Sequence, residues 1–519
     1  MGEGRPASDP APVLPEDGPP PDTLIARTAR GMGWVVGWRA MTRLLGLISP
    51  LMLMRLLAPA DFGLVALGTG FVLAVDALSF IGVEDAVVRE RDPDRDCYDT
   101  AFTLNAARGA ITALAVAAAA PAIAAFFKEP RLANVLYALA LSALLGGAEN
   151  VGILQFRRDL AFHKEFQMMI APRLIGIVAA IGTALAFRSY WALVVGILTN
   201  RVLHIVMTYT MHPHRPRLTL RRWRDMTGFS LGTWLVSLAL LLRDRSDNFV
   251  IGRMLGPTSV SYLALGSEIG LMPVLELAMP LCRALYSSFA MIRNDGGKVD
   301  AIYARFAAST LLLVMPACIG LALVAGPLVR LAVGAQWLPV IPLIAISGLA
   351  GPSIVFGLLS RTLLEAYGQL AVTFWLIMAF WVVRLGAVIA ATRQYGLIGG
   401  VGAAALVMLV EQGAGTALAC RRFAIAPADL VRRMWRIGVA TAAMAAAVWA
   451  SALARGDRLP PVLALAAASA LGAAVYTLVL LALWQASGRP DGAERDALRI
   501  LRRVAARLAQ MLGHRARLA

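Results

Sequence analysis

The sequence contains few charged residues and few cysteines, and both scarcities narrow its class. Only 16% of its 519 residues are Asp, Glu, Lys or Arg, whereas about 25% is usual in soluble domains. Its four cysteines are scattered without paired spacing, so neither a disulfide framework nor a metal site is indicated and no cofactor is expected. Residues 1–22 also lack the apolar stretch of a cleaved signal peptide.

Long apolar runs are what the sequence has instead. Hydrophobic residues make up 59% of the chain, and runs long enough to cross a bilayer, about 20 residues each, recur from end to end. A membrane β-barrel would show alternating segments of about 10 residues. We therefore predict an all-α membrane protein with about 14 transmembrane helices.

The net charge of +17 lies mostly in alternate loops between the apolar runs. This distribution follows the positive-inside rule and does not resemble a nucleic-acid-binding surface. The strongest basic run, 212–224, is predicted to be a cytoplasmic linker between two halves. An even number of spans then places both termini in the cytoplasm.

A short internal repeat suggests that the two halves are similar. Residues 55–68 and 253–266 can be aligned with an offset of 198, and six of fourteen positions are identical. Each copy lies at the junction of the first and second span of its half, although chance similarity between apolar stretches is the alternative. The repeat predicts two pseudo-symmetric six-helix lobes around a central cleft, which opens alternately to each side of the membrane.

The predicted organisation follows from these boundaries. The first residues are rich in Pro, Asp and Gly, and the last ones place leucines at helical spacing beside arginines. A basic loop at 421–436 precedes the thirteenth span, predicted at 437–453. The predicted segments are a disordered cytoplasmic tail (1–30), an N-lobe (31–211), the basic linker (212–227), a C-lobe (228–425), two further helices (426–486) and a cytoplasmic basic amphipathic tail (487–519).

Arginines inside the apolar runs are the first candidate site residues. Arg39 and Arg43 are four residues apart in the first span and therefore share a helix face. A charge at the centre of a span costs about 2.5–3.5 kcal/mol, so both should line a polar cavity or pair with acids. Arg243 and Arg245 lie in the corresponding span of the second half. Arg243 would alternatively pair with Asp247, one turn away, and Arg245 points about 200° from Arg243.

Three carboxylates in mid-span are candidates for coupling to an ion. They are Asp76, Glu276 and Glu411. Each would bind a proton in exchange for substrate, because an intramembrane carboxylate is costly while it is charged. The alternative is a structural ion pair, for example of Asp76 with Arg43.

Two motifs carry a resemblance to a known family. They are Arg55-Leu-Leu-Ala-Pro-Ala-Asp-Phe-Gly-Leu-Val-Ala-Leu at the first junction and Gly82-Val-Glu-Asp-Ala-Val-Val-Arg89 after it. The sequence resembles the polysaccharide transporters, or Wzx-type flippases, of the multidrug/oligosaccharidyl-lipid/polysaccharide (MOP) exporter superfamily. The resemblance covers spans 1–12, with spans 13 and 14 as the family's usual extension. It implies no covalent chemistry, so the chain is not expected to be an enzyme.

The resemblance also implies a substrate. It would be an undecaprenyl-pyrophosphate-linked oligosaccharide, a unit of exopolysaccharide or lipopolysaccharide, moved from the inner to the outer leaflet of the bacterial inner membrane by alternating access. Arg39, Arg43, Arg243 and Arg245 would bind the pyrophosphate, because a guanidinium donates two parallel hydrogen bonds. Further expected partners are membrane lipids, a proton or sodium ion, and the polysaccharide polymerase or export machinery; nucleic acid is not expected.

Three other functions remain open at this stage. A cation-coupled exporter of drugs or other small molecules from the same superfamily would need an acidic or neutral cleft, which the intramembrane arginines disfavour. A glycosyltransferase or polymerase would need a carboxylate-rich catalytic loop or a large periplasmic loop, and neither is present. A non-transporting scaffold for a synthase complex is the third possibility.

Overall fold

The computed structural model describes residues 46, 49–78, 87, 90, 93–158, 162–226, 231–282, 299–455, 460–499 and 502. These residues are almost entirely helical and include no β-strand. Ten of the described helices are long and apolar enough to cross a membrane. The predicted all-α membrane fold is thereby confirmed, while the count of fourteen spans stays a prediction. Arg39 and Arg43 lie outside the described residues, as do the predicted N-terminal tail and residues 503–519.

The described helices are numbered here in chain order. They are α1 (49–56), α2 (Pro59–Leu78), α3 (Arg95–Phe127), α4 (Arg131–Gly147), α5 (Leu154–Arg158), α6 (Phe162–Phe187), α7 (Trp191–Met211), α8 (Trp223–Met226), α9 (Leu231–Leu255), α10 (Pro257–Pro273), α11 (Val299–Leu323), α12 (Ala325–Ala332), α13 (Ile341–Ala366), α14 (Leu370–Arg422), α15 (Pro427–Arg455), α16 (Pro461–Ala486) and α17 (493–499). A π-helical turn, Val274–Ala278, extends α10.

Local chemistry explains where several helices begin and end. The Asp94 side chain accepts a hydrogen bond of 2.9 Å from the Cys97 backbone N–H and so caps the start of α3. At its other end Lys128 adopts a left-handed conformation (φ 56°), which lets its N–H bond back to the last turn. Within α14 only Gly396 leaves the helical region (φ 65°), a conformation that favours glycine. This break falls between the predicted eleventh span, about 371–391, and the predicted twelfth span, about 397–420.

Helices α1 to α7, residues 46–211, pack together and are called the first bundle here. Its buried core combines residues such as Leu64 of α2, Val116 of α3, Leu136 of α4 and Val194 of α7. Apolar side chains also cover the outside, where 73% of Leu114 is exposed. In a membrane protein such residues contact lipid, which is as apolar as they are. Close packing therefore holds the bundle together more than hydrophobic burial does.

Helices α9 to α16, residues 231–486, form the second bundle. Its main core contains Val274, Val314 and Leu359, to which α10, α11 and α13 contribute. The last two helices attach through a separate cluster, in which Leu312 of α11 contacts residues of α15 and α16. The arrangement agrees with two lobes followed by two added helices, although the predicted segment boundaries stay predictions.

The two copies of the sequence repeat meet where the bundles contact each other. Gly63 of α2 lies against the backbone of Pro257, the first residue of α10, so closely that no Cβ would fit between them. Beside this contact Met54 accepts hydrogen bonds from Gln336 Nε2 at 2.6 Å and from Trp337 Nε1 at 2.9 Å. The bundles are therefore closed against each other on the membrane face where α2 and α10 begin.

Residues 212–222 of the basic linker are bound to the start of α3, where acidic side chains accept hydrogen bonds from them. The backbone N–H of Arg217 donates to Asp99 Oδ1 over 3.0 Å. The guanidinium of Arg222 donates to Asp94 over 2.9 Å. These contacts let the basic linker lie along the protein, because α3 begins with acids of opposite charge.

His214 makes this docking sensitive to pH. Burial lowers the pKa of His214 from its ordinary value of 6.5, helped by Arg95 and Arg215, although Asp99 3.1 Å away acts in the opposite direction. The folded linker therefore favours neutral His214, so its stabilisation is present above pH 6.5 and is lost as pH falls toward the lowered pKa. We expect linker amides to exchange hydrogen faster at pH 5.5 than at pH 7.5, after correction for intrinsic rates.

A His214→Gln variant provides the control, since its linker should exchange alike at both pH values. Stronger protection of the linker at pH 5.5 would contradict the prediction. It would mean that the attraction between Asp99 and a protonated His214 outweighs burial.

Candidate functional site

An arginine and a glutamate from distant parts of the chain form an ion pair inside the second bundle. Arg243, in the middle of α9, donates from Nη1 to Oε1 of Glu411 on α14 over 2.7 Å. The Glu411 side chain is only 5% exposed. Its second oxygen, Oε2, is buried without a hydrogen-bond partner among the described residues. One ion pair thus joins Arg243, predicted to bind the pyrophosphate, to Glu411, predicted to couple transport to an ion.

This ion pair borders a cavity of about 320 Å³. Ser360, Arg361 and Gln412 contribute further polar groups to the cavity wall. Arg361 lies 3.6 Å from Glu365, one turn along α13. The wall therefore combines two guanidinium groups, a hydroxyl and an amide, which are donors that suit phosphate oxygens, with the carboxylates of Asp244 and Glu411, which bind Arg243.

Two other predicted site residues do not line this cavity. Arg245 follows Arg243 by two residues and points about 200° away around α9, and it is absent from the cavity wall. Glu276 lies in the π-helical turn of α10, where its neighbours Val274 and Leu275 line the cavity while its own side chain is exposed. The structure brings Arg243 and Glu411 together and places Arg245 and Glu276 apart from them.

The pairing of Arg243 with Asp247, which the spacing suggested, is not the one observed. Asp247 instead accepts hydrogen bonds from Nε and Nη2 of Arg384 on α14, the shortest of 2.5 Å. Arg384 and Asp247 are 14% and 10% exposed. Because Asp247 pairs with Arg384, Arg243 pairs with two other carboxylates. Its Nη1 donates to Glu411, and its Nε donates to the more exposed Asp244 over 2.9 Å.

Removing Asp247 alone should destabilise the protein strongly. An Asp247→Ala variant leaves Arg384 buried without its counter-charge, which costs about 3–5 kcal/mol for a broken buried pair. We expect the apparent melting temperature in detergent to fall by several degrees. The double variant Asp247→Leu with Arg384→Met should recover most of the loss, since a buried pair replaced by apolar residues is often neutral. Equal melting temperatures for the wild type and Asp247→Ala would contradict this account.

Asp76 belongs to a polar cavity of about 350 Å³ in the first bundle. Its Oδ1 lies 3.6 Å from Nε of Arg108 on α3. In the same cavity Glu149 lies 3.7 Å from Nδ1 of His204. Arg43, the partner suggested for Asp76, lies outside the described residues. The charge of Asp76 is therefore balanced within its own bundle by a residue that the sequence reasoning had not singled out.

A neighbouring cavity of about 640 Å³ extends to the described end of the first span. It shares Arg201 and His204 with the cavity of Asp76 and is also lined by Ser49 of α1. Arg173 of α6 lines it too, and its guanidinium packs against Gly46. Sequence reasoning gave Arg173 and Arg201 no role. The available signal was that each is a cation inside an apolar run.

Comparison with known proteins identifies the class of this helical fold. The family described as "Polysaccharide biosynthesis protein" matches residues 52–342, which is more than half of the chain. The chain belongs to this polysaccharide biosynthesis family. The resemblance inferred from the two motifs is thereby confirmed.

The chain is similar in sequence to proteins of bacterial polysaccharide biosynthesis. It is 25% identical over 473 residues to the succinoglycan biosynthesis transport protein ExoT of Rhizobium meliloti (strain 1021), which covers 88% of the chain and 94% of that protein. It is 22% identical over 336 residues to the lipopolysaccharide biosynthesis protein WzxC of Escherichia coli (strain K12), which covers 63% of the chain and 68% of WzxC.

Solved structures with the same fold include two transporters. The lipid II flippase MurJ in an inward closed conformation aligns with a TM-score of 0.63 at 14% identity, over 88% of the chain and 100% of MurJ. An inward-facing multidrug resistance transporter of the MATE family, from the MOP superfamily, aligns with a TM-score of 0.59 at 15% identity, over 73% of the chain and 94% of that transporter. Both likenesses show the fold, and they confirm the predicted flippase fold.

Proposed function

We propose that this chain is a flippase that moves an undecaprenyl-pyrophosphate-linked oligosaccharide from the inner to the outer leaflet of the bacterial inner membrane. Family membership and the transport proteins among its relatives support a membrane transporter of polysaccharide biosynthesis rather than an enzyme. The observation that carries the proposal is the buried Arg243–Glu411 pair beside a cavity of about 320 Å³, with Glu411 on a helix long and apolar enough to cross a membrane. Both termini would lie in the cytoplasm, as the loop charges predict.

A lipid-linked sugar needs protein or water around its head while it crosses the membrane. Its diphosphate and sugars cannot enter hydrocarbon without losing hydrogen bonds. Arg243 and Arg361 line the cavity of about 320 Å³ and would hold phosphate oxygens there. Arg39 and Arg43 of the first span would contribute further guanidinium groups from the other bundle. Arg245, which does not line the cavity, would have no part in holding the diphosphate.

The ion pair supplies a switch for substrate binding. Arg243 is already bound to Glu411, so a diphosphate must compete with that carboxylate for the same guanidinium. A proton on Glu411, whose Oε2 has no partner among the residues described, would remove the competition from this carboxylate and its repulsion of the diphosphate, while Asp244 stays bonded to Nε of Arg243. Proton and substrate would then bind Glu411 and Arg243 together, whereas the sequence alone had suggested that they exchange.

Membrane potential can drive export even though a proton travels with the substrate. One elementary charge crossing 100 mV corresponds to about 2.3 kcal/mol. The charge of a diphosphate is not cancelled by a single proton, so the complex leaves the negative interior as a net anion. Export is therefore favoured by the potential.

The remaining carboxylates have roles in the same scheme. Asp76 would bind a proton in exchange for substrate and would balance Arg108 only while it is ionised, and Glu276 would act at the exposed π-helical turn. The bundles would move relative to each other so that the contact of Gly63 with Pro257, which is closed in this structure, opens and closes during the cycle. By the loop charges this closed face is periplasmic.

A reconstituted transport assay tests the proposal. Purified protein in liposomes should move a lipid-linked oligosaccharide between leaflets, and a negative potential on the side from which substrate leaves should accelerate it. Liposomes with Arg243→Ala protein serve as the matched control. Transport of hydrophobic cations without movement of the lipid-linked oligosaccharide would instead favour the drug exporter.

A further inference from the structure

A basic pocket lies far from the cavities described above. It has a volume of about 370 Å³ and occupies the membrane face where α11 and α15 begin and α16 ends. The segment 487–494 closes its remaining side. The charged residues that line the pocket are Arg305, Arg432, Arg433, Arg436, Asp491 and Glu494.

Two of the acidic groups around the pocket are neutralised by arginines within the protein. Arg436 forms a buried ion pair with Glu494 at 2.8 Å, with side chains only 7% and 3% exposed. Asp491 pairs with Arg495, which lies outside the pocket wall. Arg305 in turn pairs with Asp496, also outside the wall, at 2.8 Å. The lining still contains four arginines and two acids, an excess of positive charge.

Arg433 is the group that this arrangement leaves unsatisfied. Its Nε is buried, and no hydrogen-bond partner for it exists in the described part of the chain. A buried guanidinium nitrogen without an acceptor is unfavourable, and such groups usually have a partner. Arg432 lies next to it at the exposed rim, where it reaches Asp429 at 3.0 Å. The pocket is thus a positively charged site that lacks an acceptor for Arg433.

The surface beside the pocket indicates the kind of anion. On α15, Val431, Trp435 and Val439 are spaced by four residues and therefore form one stripe. They are 67%, 42% and 46% exposed. Trp435 and Val439 follow Arg433 toward the membrane interior and are placed to contact acyl chains, whereas Val431 precedes it. Trp435 also lines the pocket, and tryptophan is enriched at the depth of lipid headgroups. The pocket opens where a lipid's phosphate and its chains would meet the protein.

We propose that this pocket binds the phosphate of an anionic phospholipid that resides there without being transported. Arg433 donates to the phosphate oxygens, Arg432 closes over the headgroup from the rim, and the acyl chains lie along the part of the α15 stripe that follows Arg433. Basic pockets between helices on the cytoplasmic side are typical headgroup sites. The site is separate from the cavity of Arg243, so it does not depend on the proposed transport function.

Lipid binding to delipidated, purified protein tests the assignment. Native mass spectrometry in detergent would measure retention of phosphatidylglycerol, with phosphatidylcholine and inorganic phosphate as comparison ligands. We expect wild-type protein to prefer phosphatidylglycerol, and Arg433→Gln to weaken that binding about tenfold, since a charged hydrogen bond is lost. Arg421→Gln is the matched control, because Arg421 is exposed at the end of α14 and does not line the pocket.

Arg432→Gln provides a second variant that does not disturb the interior, because the Arg432 side chain is 75% exposed. It should weaken phosphatidylglycerol binding about threefold, as expected for one more exposed charge near the phosphate. Equal binding of phosphatidylglycerol by the wild type and both variants would overturn the proposal. Binding of inorganic phosphate as tight as that of the lipid would overturn the assignment to a lipid.

Discussion

Arg243→Ala protein is expected to lose at least 99% of its flipping rate while it remains folded in the membrane. Two charge-assisted hydrogen bonds from a guanidinium to a diphosphate contribute about 1.5–3 kcal/mol each, and their loss corresponds to a hundredfold weaker interaction or more. Arg243→Lys should retain part of the rate, since lysine keeps the charge but loses the planar fork. The rate in liposomes with a lipid-linked oligosaccharide is the measurement.

Two further variants separate a binding role from a structural one. Arg243→Ala leaves Glu411 buried without its ion-pair partner, so part of any effect would come from destabilisation. Adding Glu411→Gln should restore the melting temperature but not transport. Arg245→Ala, on the opposite side of α9, should retain most of the rate. Equal losses for Arg243→Ala and Arg245→Ala would contradict the assignment of Arg243 to the cavity.

Glu411→Gln alone distinguishes joint binding of proton and substrate from exchange. In the proposed scheme each substrate bound by the wild type is accompanied by one proton, so we expect the apparent dissociation constant to fall by up to tenfold for each unit by which pH is lowered. The variant should bind the substrate with less pH dependence, because glutamine is neutral at every pH while the Asp244 carboxylate stays beside Arg243. Wild-type affinity that weakens as pH falls would show that proton and substrate compete.

The spans were predictable because apolar length reports directly on the hydrocarbon thickness. The residues at which the spans begin and end were less predictable. The thirteenth span was predicted to begin at residue 437, yet α15 begins at Pro427. Its first turns carry Arg432, Arg433 and Arg436, which lower the local hydropathy although they continue the helix beyond the hydrocarbon. The same arginines looked like a solvated loop in the sequence and form a pocket in the structure.

The candidate site was predictable only in part, because sequence spacing shows local neighbours and not competing distant ones. Arg243 and Asp247 are one turn apart, but Arg384 lies 137 positions from Asp247 and binds it with better geometry. Glu411, 168 positions away, then takes Arg243. Each residue was identifiable as an intramembrane charge, and the pairing depended on how α9 and α14 pack.

Gly63→Ala is expected to abolish transport although it adds only one methyl group. A Cβ on Gly63 would lie within 3.0 Å of both the carbonyl carbon and the carbonyl oxygen of Pro257. Backbone atoms cannot rotate away as a flexible side chain does, so α2 and α10 must separate. The closed contact between the bundles would then be lost from the transport cycle. The flipping rate and the distance between spin labels at Ala58→Cys and Ser259→Cys measure both consequences.

Gly70→Ala is the matched control because it lies on the same helix and also faces the second bundle. A Cβ there would be 3.5 Å from the Phe249 ring, which is an ordinary van der Waals contact. We expect its rate to stay within twofold of the wild type and its label distance to be unchanged. Normal transport by Gly63→Ala with an unchanged distance would mean that the cycle does not use this closed state. A longer distance with normal transport would mean that closure on this face does not limit the rate.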